Sequence, residues 1–204
     1  MACRNVGQLV ARQTAVFLCD LQEKFRPNIQ YFDAIVDVSS RLLRTAKILD
    51  LPVVVTEQYP KGLGKTVKEL GLDDFPDVKP VEKTQFSMLT SDVINQLKAN
   101  HPDVKNIVLC GIEAHVCVQG TALQAINSGF DVHVVVDGCS SRTMVDRMFA
   151  FDRMKAAGAW LTTSESVILG LVGDASHPKF RECQKLIMQS APDSGLLTLL
   201  SHKI

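Results

Sequence analysis

The stretch "NIVLCGIEAHVCVQGTALQAINSGFDVHVVVD", residues 106–137, changes character twice. A short apolar run closes on Gly111, a segment of helical period follows and stops at Gly129, and a β-branched run returns from Asp131. Strand, helix, strand in that order is a crossover unit, which rejoins the same sheet in parallel and with right-handed connection. Outward from it, "TAVFLCD" (14–20), "PVVVTEQ" (52–58) and "GAWLTTS" (158–164) repeat the strand pattern, and "VKPVEKTQF" (78–86) holds a shorter one. Their runs are continuous and apolar, as expected of strands covered on both faces. Helical periods lie between. "FDAIVDVSSRLLRTAKIL" (32–49) lines up Ile35, Val38, Leu42, Thr45 and Leu49, and "SDVINQLKAN" (91–100) and "TMVDRMFAFDRMKAAG" (143–158) follow, the last stopping at Gly158. The expected fold is α/β: one three-layer α/β/α, Rossmann-like domain over 1–204, with a mostly parallel sheet of about six strands. Its core runs from about 14 to 173, with a C-terminal helix and tail over 174–204.

Lysine plus arginine (22) balance aspartate plus glutamate (22) in 204 residues. Such a chain has no global field to hold nucleic acid or an anionic membrane. No apolar run approaches the ~20 residues a membrane helix needs, so a soluble chain is expected. The cysteines are Cys3, Cys19, Cys110, Cys117, Cys139 and Cys183, with no C-x-x-C pair and no apolar signal segment. That usage fits a reducing compartment, the cytoplasm first. The alternative is the mitochondrion, since the first nineteen residues carry Arg4 and Arg12 but no acid. Cys19, Cys110 and Cys139 read as small buried hydrophobes.

In a parallel α/β sheet, ligands bind beyond the C-terminal strand ends. Those ends carry Asp20, then Thr56-Glu57-Gln58, then Lys83, then the segment from Gly111 to Cys117, then Asp137 to Arg142. The long, Pro- and Gly-rich connection from Tyr59 to Pro80 has the character of a binding loop or lid. Cys117 falls in a first helical turn, where unpaired N–H groups and the helix dipole favour a thiolate. A lysine within ~4 Å would add roughly 4 kcal/mol in the same direction at an effective dielectric near 20. Asp20 is placed to accept the thiol proton and return it to a leaving amine. The spacing alone also admits a plain alternative: Cys117 in the core, Asp20 in a turn, Lys83 an exposed charge.

"FLCDLQEKF" (17–25), "EKTQFS" (82–87) and "GIEAHVCV" (111–118) resemble, in order and separation, the three signature segments of the isochorismatase-like cysteine hydrolases. "VTEQYPKGLG" (55–64), "VVVDGCSSR" (134–142) and "APDSGLL" (191–197) are similar to its animal branch, the isochorismatase domain-containing proteins. The resemblance implies a catalytic trio of Asp20, Lys83 and Cys117, with Lys83 lowering the thiol pKa. It also implies a cis peptide between Ile112 and Glu113 that turns the Glu113 N–H, with that of Cys117, into an oxyanion hole. Gln22, Phe25 and Gln58 are the expected substrate contacts. Nicotinamidases of the family hold zinc with an Asp-x-His pair and a further histidine before the lysine. Here "TEQYP" stands in that stretch and the first histidine is His101, so no metal and no cofactor is expected. Cys117 also argues against the vinyl-ether hydrolysis of true isochorismatases, which do not use a cysteine nucleophile.

The reading is a hydrolase that cleaves a small amide, imide or carbamoyl compound through a Cys117 thioester. The alternative is a non-catalytic interaction module that keeps the fold, and a thiol-sensing role ranks third. The resemblance also implies a homo-oligomer, commonly a dimer or tetramer, and the stripe Met144, Met148, Phe151 and Met154 reads as core or as a dimer seam. Ser140 or Ser141 is the expected cap of the helix that follows, and Asp137 is expected to tie down the same turn. Arg142 is expected to bind a carboxylate or bridge subunits, His115 to sit exposed at a helix entry, Glu113 to brace the loop, and His133 to be a satisfied core histidine.

Overall fold

In a computed structural model, which describes residues 6–196, six strands form one sheet and every pairing in it is parallel. In chain order, strand β1 (Thr14–Cys19) leads to helix α1 (Phe32–Leu49), then β2 (Val53–Gln58), a one-turn helix α2 (Pro60–Leu63), and β3 (Val81–Lys83). Helix α3 (Ser91–Asn100) crosses to β4 (Asn106–Ile112), and α4 (Gln119–Asn127) leads on to β5 (Asp131–Ser140). The described residues finish with α5 (Met144–Ala156), β6 (Trp160–Thr162), α6 (Ser164–Val172) and α7 (Phe180–Ile187). Cys3 and Arg4 lie outside the described residues, as does Leu197, whereas Arg12, the other arginine of the first nineteen residues, sits in a single 3-10 turn (Ala11–Gln13) before β1.

The strand order is β3-β2-β1-β4-β5-β6. Right-handed crossovers therefore put α1 on one face and α3, α4 and α5 on the other. Helices α6 and α7 return to pack on α1, and α4 packs on α5. β1 and β4 are buried at every residue, which is why their runs show no polar alternation. Helix α1 buries Ile35, Val38, Leu42 and Thr45 along the expected stripe, while Leu49 is half-buried.

The direction of winding reverses between β1 and β4. A crevice opens at such a switch point, outside the C-terminal strand ends. Gly111, near the end of β4, lets the two strands approach there. Its φ is +116°, and a Cβ added to it would stand 2.2 Å from the Cys19 carbonyl oxygen.

Several local expectations need correction. β5 continues through Ser140, and the cap of α5 is Thr143, whose Oγ1 accepts from the Asp146 N–H at 3.0 Å. Asp137 reaches across to the start of α6 instead of tying its own turn, accepting from Ser164 N (2.8 Å) and Ser164 Oγ (2.6 Å). His133 is not satisfied: it is buried, and its Nε2 has no hydrogen-bond partner. Of the stripe on α5, Phe151 and Met154 are core and Met144 and Met148 half-buried; the exposed apolar side chains there are Val145 and Phe149.

Two arginines strap the chain's last described segment to this frame. Arg41 of α1 donates to the carbonyls of Leu186, Gln189 and Ser190, capping the end of α7. Arg147 of α5, with no exposed surface, donates to the carbonyls of Ser194 and Val136. Burial pulls its guanidinium down to about 10.

Candidate active site

The end of β1 turns sharply. Asp20 takes a left-handed backbone conformation (φ +50°), which an L-residue adopts only when held there. The turn breaks strand alternation, so the Cys19 and Asp20 side chains meet: Cys19 Sγ lies 3.6 Å from Asp20 Oδ2. The other carboxylate oxygen, Oδ1, accepts from Thr56 Oγ1 of β2 at 2.7 Å.

Lys83 closes the arrangement from β3. Its Nζ donates to Asp20 Oδ2 and Gln58 Oε1, each at 2.7 Å, and to the Phe86 carbonyl at 2.9 Å, with the Gln85 carbonyl at 3.3 Å. Neither Lys83 nor Asp20 exposes any side-chain surface. A buried pair of this kind offsets its desolvation only when its remaining donors and acceptors are met, and here they are. Burial alone would pull Lys83 down, but Cys19, Asp20 and Cys117 together hold it above its ordinary value.

The third element arrives after β4. The Ile112–Glu113 peptide is cis, and residues Ala114–Val118 form a π-helical turn before α4 begins, where the sequence suggested one continuous helix. The Glu113 carbonyl accepts from the N–H groups of Val116 and Val118, both at 3.1 Å. Its carboxylate pairs with Arg142 Nε at 3.1 Å, so Arg142 is used within the chain. His115 is half-buried, its Nδ1 3.0 Å from Ser141 Oγ. Cys117, 5 % exposed, is fixed from behind: its carbonyl accepts from Thr121 Oγ1 at 2.6 Å. Cys19 Sγ, an Asp20 carboxylate oxygen and Cys117 Sγ all lie within 4.8 Å of one another.

Asp20, Lys83 and Cys117, distant in sequence, are thus brought together at the switch point. The residues proposed to line a pocket divide. Gln58 touches Lys83 and donates from Nε2 to the Thr84 carbonyl at 2.8 Å. Phe25 is buried against the core. Gln22 is fully buried and its amide is committed, donating to the carbonyls of Gly64 (2.7 Å) and Gln58 (3.0 Å) and accepting from Gln58 N–H (2.7 Å). It holds the end of β2 and does not face open space.

The connection from Tyr59 to Pro80 is pinned rather than free. Glu57, 2 % exposed, accepts from Lys65 Nζ at 3.0 Å and from Thr66 N and Oγ1 at 2.7 and 2.9 Å. Val67 and Leu70 are buried in the core. Between this segment and the stretch after β3 lies a cavity of about 490 Å³ lined by Tyr59, Lys61, Lys83, Gln85 and Asp92, among others. Lys83 meets it through its main chain only, its side chain being fully buried, and Cys117 is not in its wall.

The cluster Cys19, Asp20 and Cys117 has the spacing of a small metal site. The Lys83 ammonium on Asp20 competes with any cation for that carboxylate. Sequence reasoning missed two members of the site, Cys19 and Thr56. Thr56, the register partner of Cys19 two residues before the end of β2, was visible among the strand-end residues but without a role. Cys19 left no signal, since alternation assigns residues 19 and 20 to opposite faces.

Residues 14–166 match the isochorismatase domain. The chain belongs to the isochorismatase family. This family member is 57% identical over 196 residues to isochorismatase domain-containing protein 2 of Xenopus laevis, covering 96% of this chain and 94% of that protein. Among solved structures it is similar to the MAR1 ribonuclease of Caenorhabditis elegans, with TM-score 0.88 and 52% identity over 93% of this chain and 96% of that one. It is also similar to the YcaC gene product of Escherichia coli, described as an octameric hydrolase of unknown specificity. That match has TM-score 0.82 and 26% identity, and covers 98% of this chain and 100% of that one. The chain thus has the isochorismatase-family hydrolase fold.

Proposed function

We propose that this chain is a cysteine hydrolase of a small amide, imide or carbamoyl compound, working without a metal through a Cys117 thioester. One observation carries the reading: a buried carboxylate–ammonium pair stands beside a cysteine at the fold's ligand crevice. Asp20 takes the thiol proton as Cys117 Sγ attacks the carbonyl carbon, and gives it to the departing nitrogen. Water then cleaves the thioester, with Asp20 as base. Lys83 contributes positive charge that favours the thiolate and holds the carboxylate in place. The N–H groups of Glu113 and Cys117 are the proposed donors to the oxyanion. Gln58, tied to Lys83, is the proposed residue for orienting a substrate. A small substrate is favoured because Cys117 is 5 % exposed.

The Caenorhabditis elegans relative is described as a ribonuclease, so cleavage of RNA is the competing reading. The balanced charge of this chain, 22 basic against 22 acidic residues, favours the small substrate. Turnover of an amide and carbamoyl panel and of an RNA substrate, in wild type and Cys117→Ala, separates the two. Complete loss of amide turnover in a variant with unchanged circular dichroism supports the thioester route. RNA cleavage that survives Cys117→Ala, with no amide turned over, would replace it. A folded wild type that turns over neither substrate points to the interaction module.

A further inference from the structure

We propose that Cys19 is a resolving thiol for Cys117, and that a peroxide converts the pair into an intramolecular disulfide that a dithiol reverses. The hydrolytic scheme gives Cys19 nothing to do, yet its sulfur lies within 4.8 Å of both the Cys117 sulfur and an Asp20 carboxylate oxygen. Cys19 and Gly111 are register partners in adjacent strands, so the backbone holds the start of the Cys117 loop against Cys19. A disulfide requires the sulfurs to close from within 4.8 Å to about 2.05 Å.

The two thiols are unequal in the way a sensor requires. Cys117 has some exposed surface and meets a small oxidant first, whereas Cys19 has none. Burial, then the neighbouring Cys117 and Asp20, push the Cys19 thiol up, so it rests protonated. In the first step the Cys117 sulfur forms a bond to one peroxide oxygen as the O–O bond breaks. Sulfur loses two electrons, giving a sulfenic acid and a hydroxide that takes up the Cys117 thiol proton and leaves as water. In the second, the Cys19 sulfur attacks the Cys117 sulfur and the S–O bond breaks. The Cys19 proton passes to Asp20, 3.6 Å away, and on to the departing hydroxide. Two thiols and one hydrogen peroxide give one disulfide and two waters. The other buried pair, Cys110 and Cys139, points its sulfurs at the carbonyls of Phe17 and Leu109 and has no carboxylate contact of this kind.

The test is a non-reducing peptide map of the full chain after near-stoichiometric hydrogen peroxide and blocking with iodoacetamide. The expected product joins the Cys19 and Cys117 peptides with loss of two hydrogens and disappears on treatment with dithiothreitol. In Cys19→Ala the cross-link is lost entirely, and Cys117 gains two oxygens as the sulfinic acid. Sulfinic acid accumulating as fast in wild type as in Cys19→Ala, or a Cys110–Cys139 cross-link with Cys117 left linear, overturns the proposal. If Cys19→Ala does not fold, the wild-type map alone decides. The readout needs no turnover and stands apart from the hydrolase reading.

Discussion

At the scale of single residues, the site is organised by the Asp20–Lys83 pair more than by the cysteine. With both side chains fully buried, removing one charge leaves the other without its partner and without water. Asp20→Asn is expected to cost about 3–5 kcal/mol of stability, and the double variant Asp20→Asn, Lys83→Met to recover most of it. Urea unfolding of the three proteins checks this; a single variant within about 1 kcal/mol of wild type would mean the pair is not isolated from solvent. His133 supplies a pH-dependent counterpart. Burial pulls its imidazole down, so the unfolded chain binds this proton at higher pH than the folded one. Stability is then complete above about pH 6.5 and falls as the pH drops below it, by at most about 1.4 kcal/mol per unit for one proton. In His133→Leu that acid-side slope is expected to flatten, read from urea midpoints between neutral and mildly acidic pH. An unchanged slope would assign the proton to another group.

At the scale of elements, Gly111 sets how closely β1 and β4 approach, and hence where Cys117 can stand. Gly111→Ala drives a methyl into the Cys19 backbone, which has no flexible end to yield, at a φ of +116°. A loss of at least about 3 kcal/mol is expected. Gly129→Ala, at φ +87° with nothing within 4 Å, is the control and costs only about 1–2 kcal/mol. Thermal unfolding of both variants distinguishes a clash from a backbone preference. The same element shows what the sequence could reveal. The apolar run of β4 and the period of α1 were legible because burial of a long face leaves a regular pattern. The last turn of β5, Gly138-Cys139-Ser140, was not, since it is held by sheet pairing and lacks β-branched residues. Asp20, Lys83 and Cys117 could be named as strand-end residues. The presence of Cys19 among them depends on the Asp20 backbone turn, which no side-chain pattern encodes.

At the scale of the whole molecule, the packing of α5 bears on assembly. Its inner side supplies Arg147, Phe151 and Met154 to the core, while Val145 and Phe149, one turn apart, are 61% and 63% exposed. Apolar side chains adjacent on a helix surface are an arrangement that a partner of like character covers. We propose that α5 contributes to a homo-oligomeric seam, with Phe149 near its centre. Wild type is then expected to sediment as a dimer or larger assembly. Phe149→Glu buries a charge in that seam and is expected to shift the protein toward monomer at the same concentration. The side chain is mostly exposed in the single chain, so circular dichroism of the variant should not change. A monomeric wild type would remove the seam, and an oligomer unaffected by Phe149→Glu would place it on another surface. Because Cys117 is carried on the turn that packs against α5, turnover measured on the monomeric variant also tests whether assembly steadies the nucleophile. Full activity there would separate the chemistry from the oligomer.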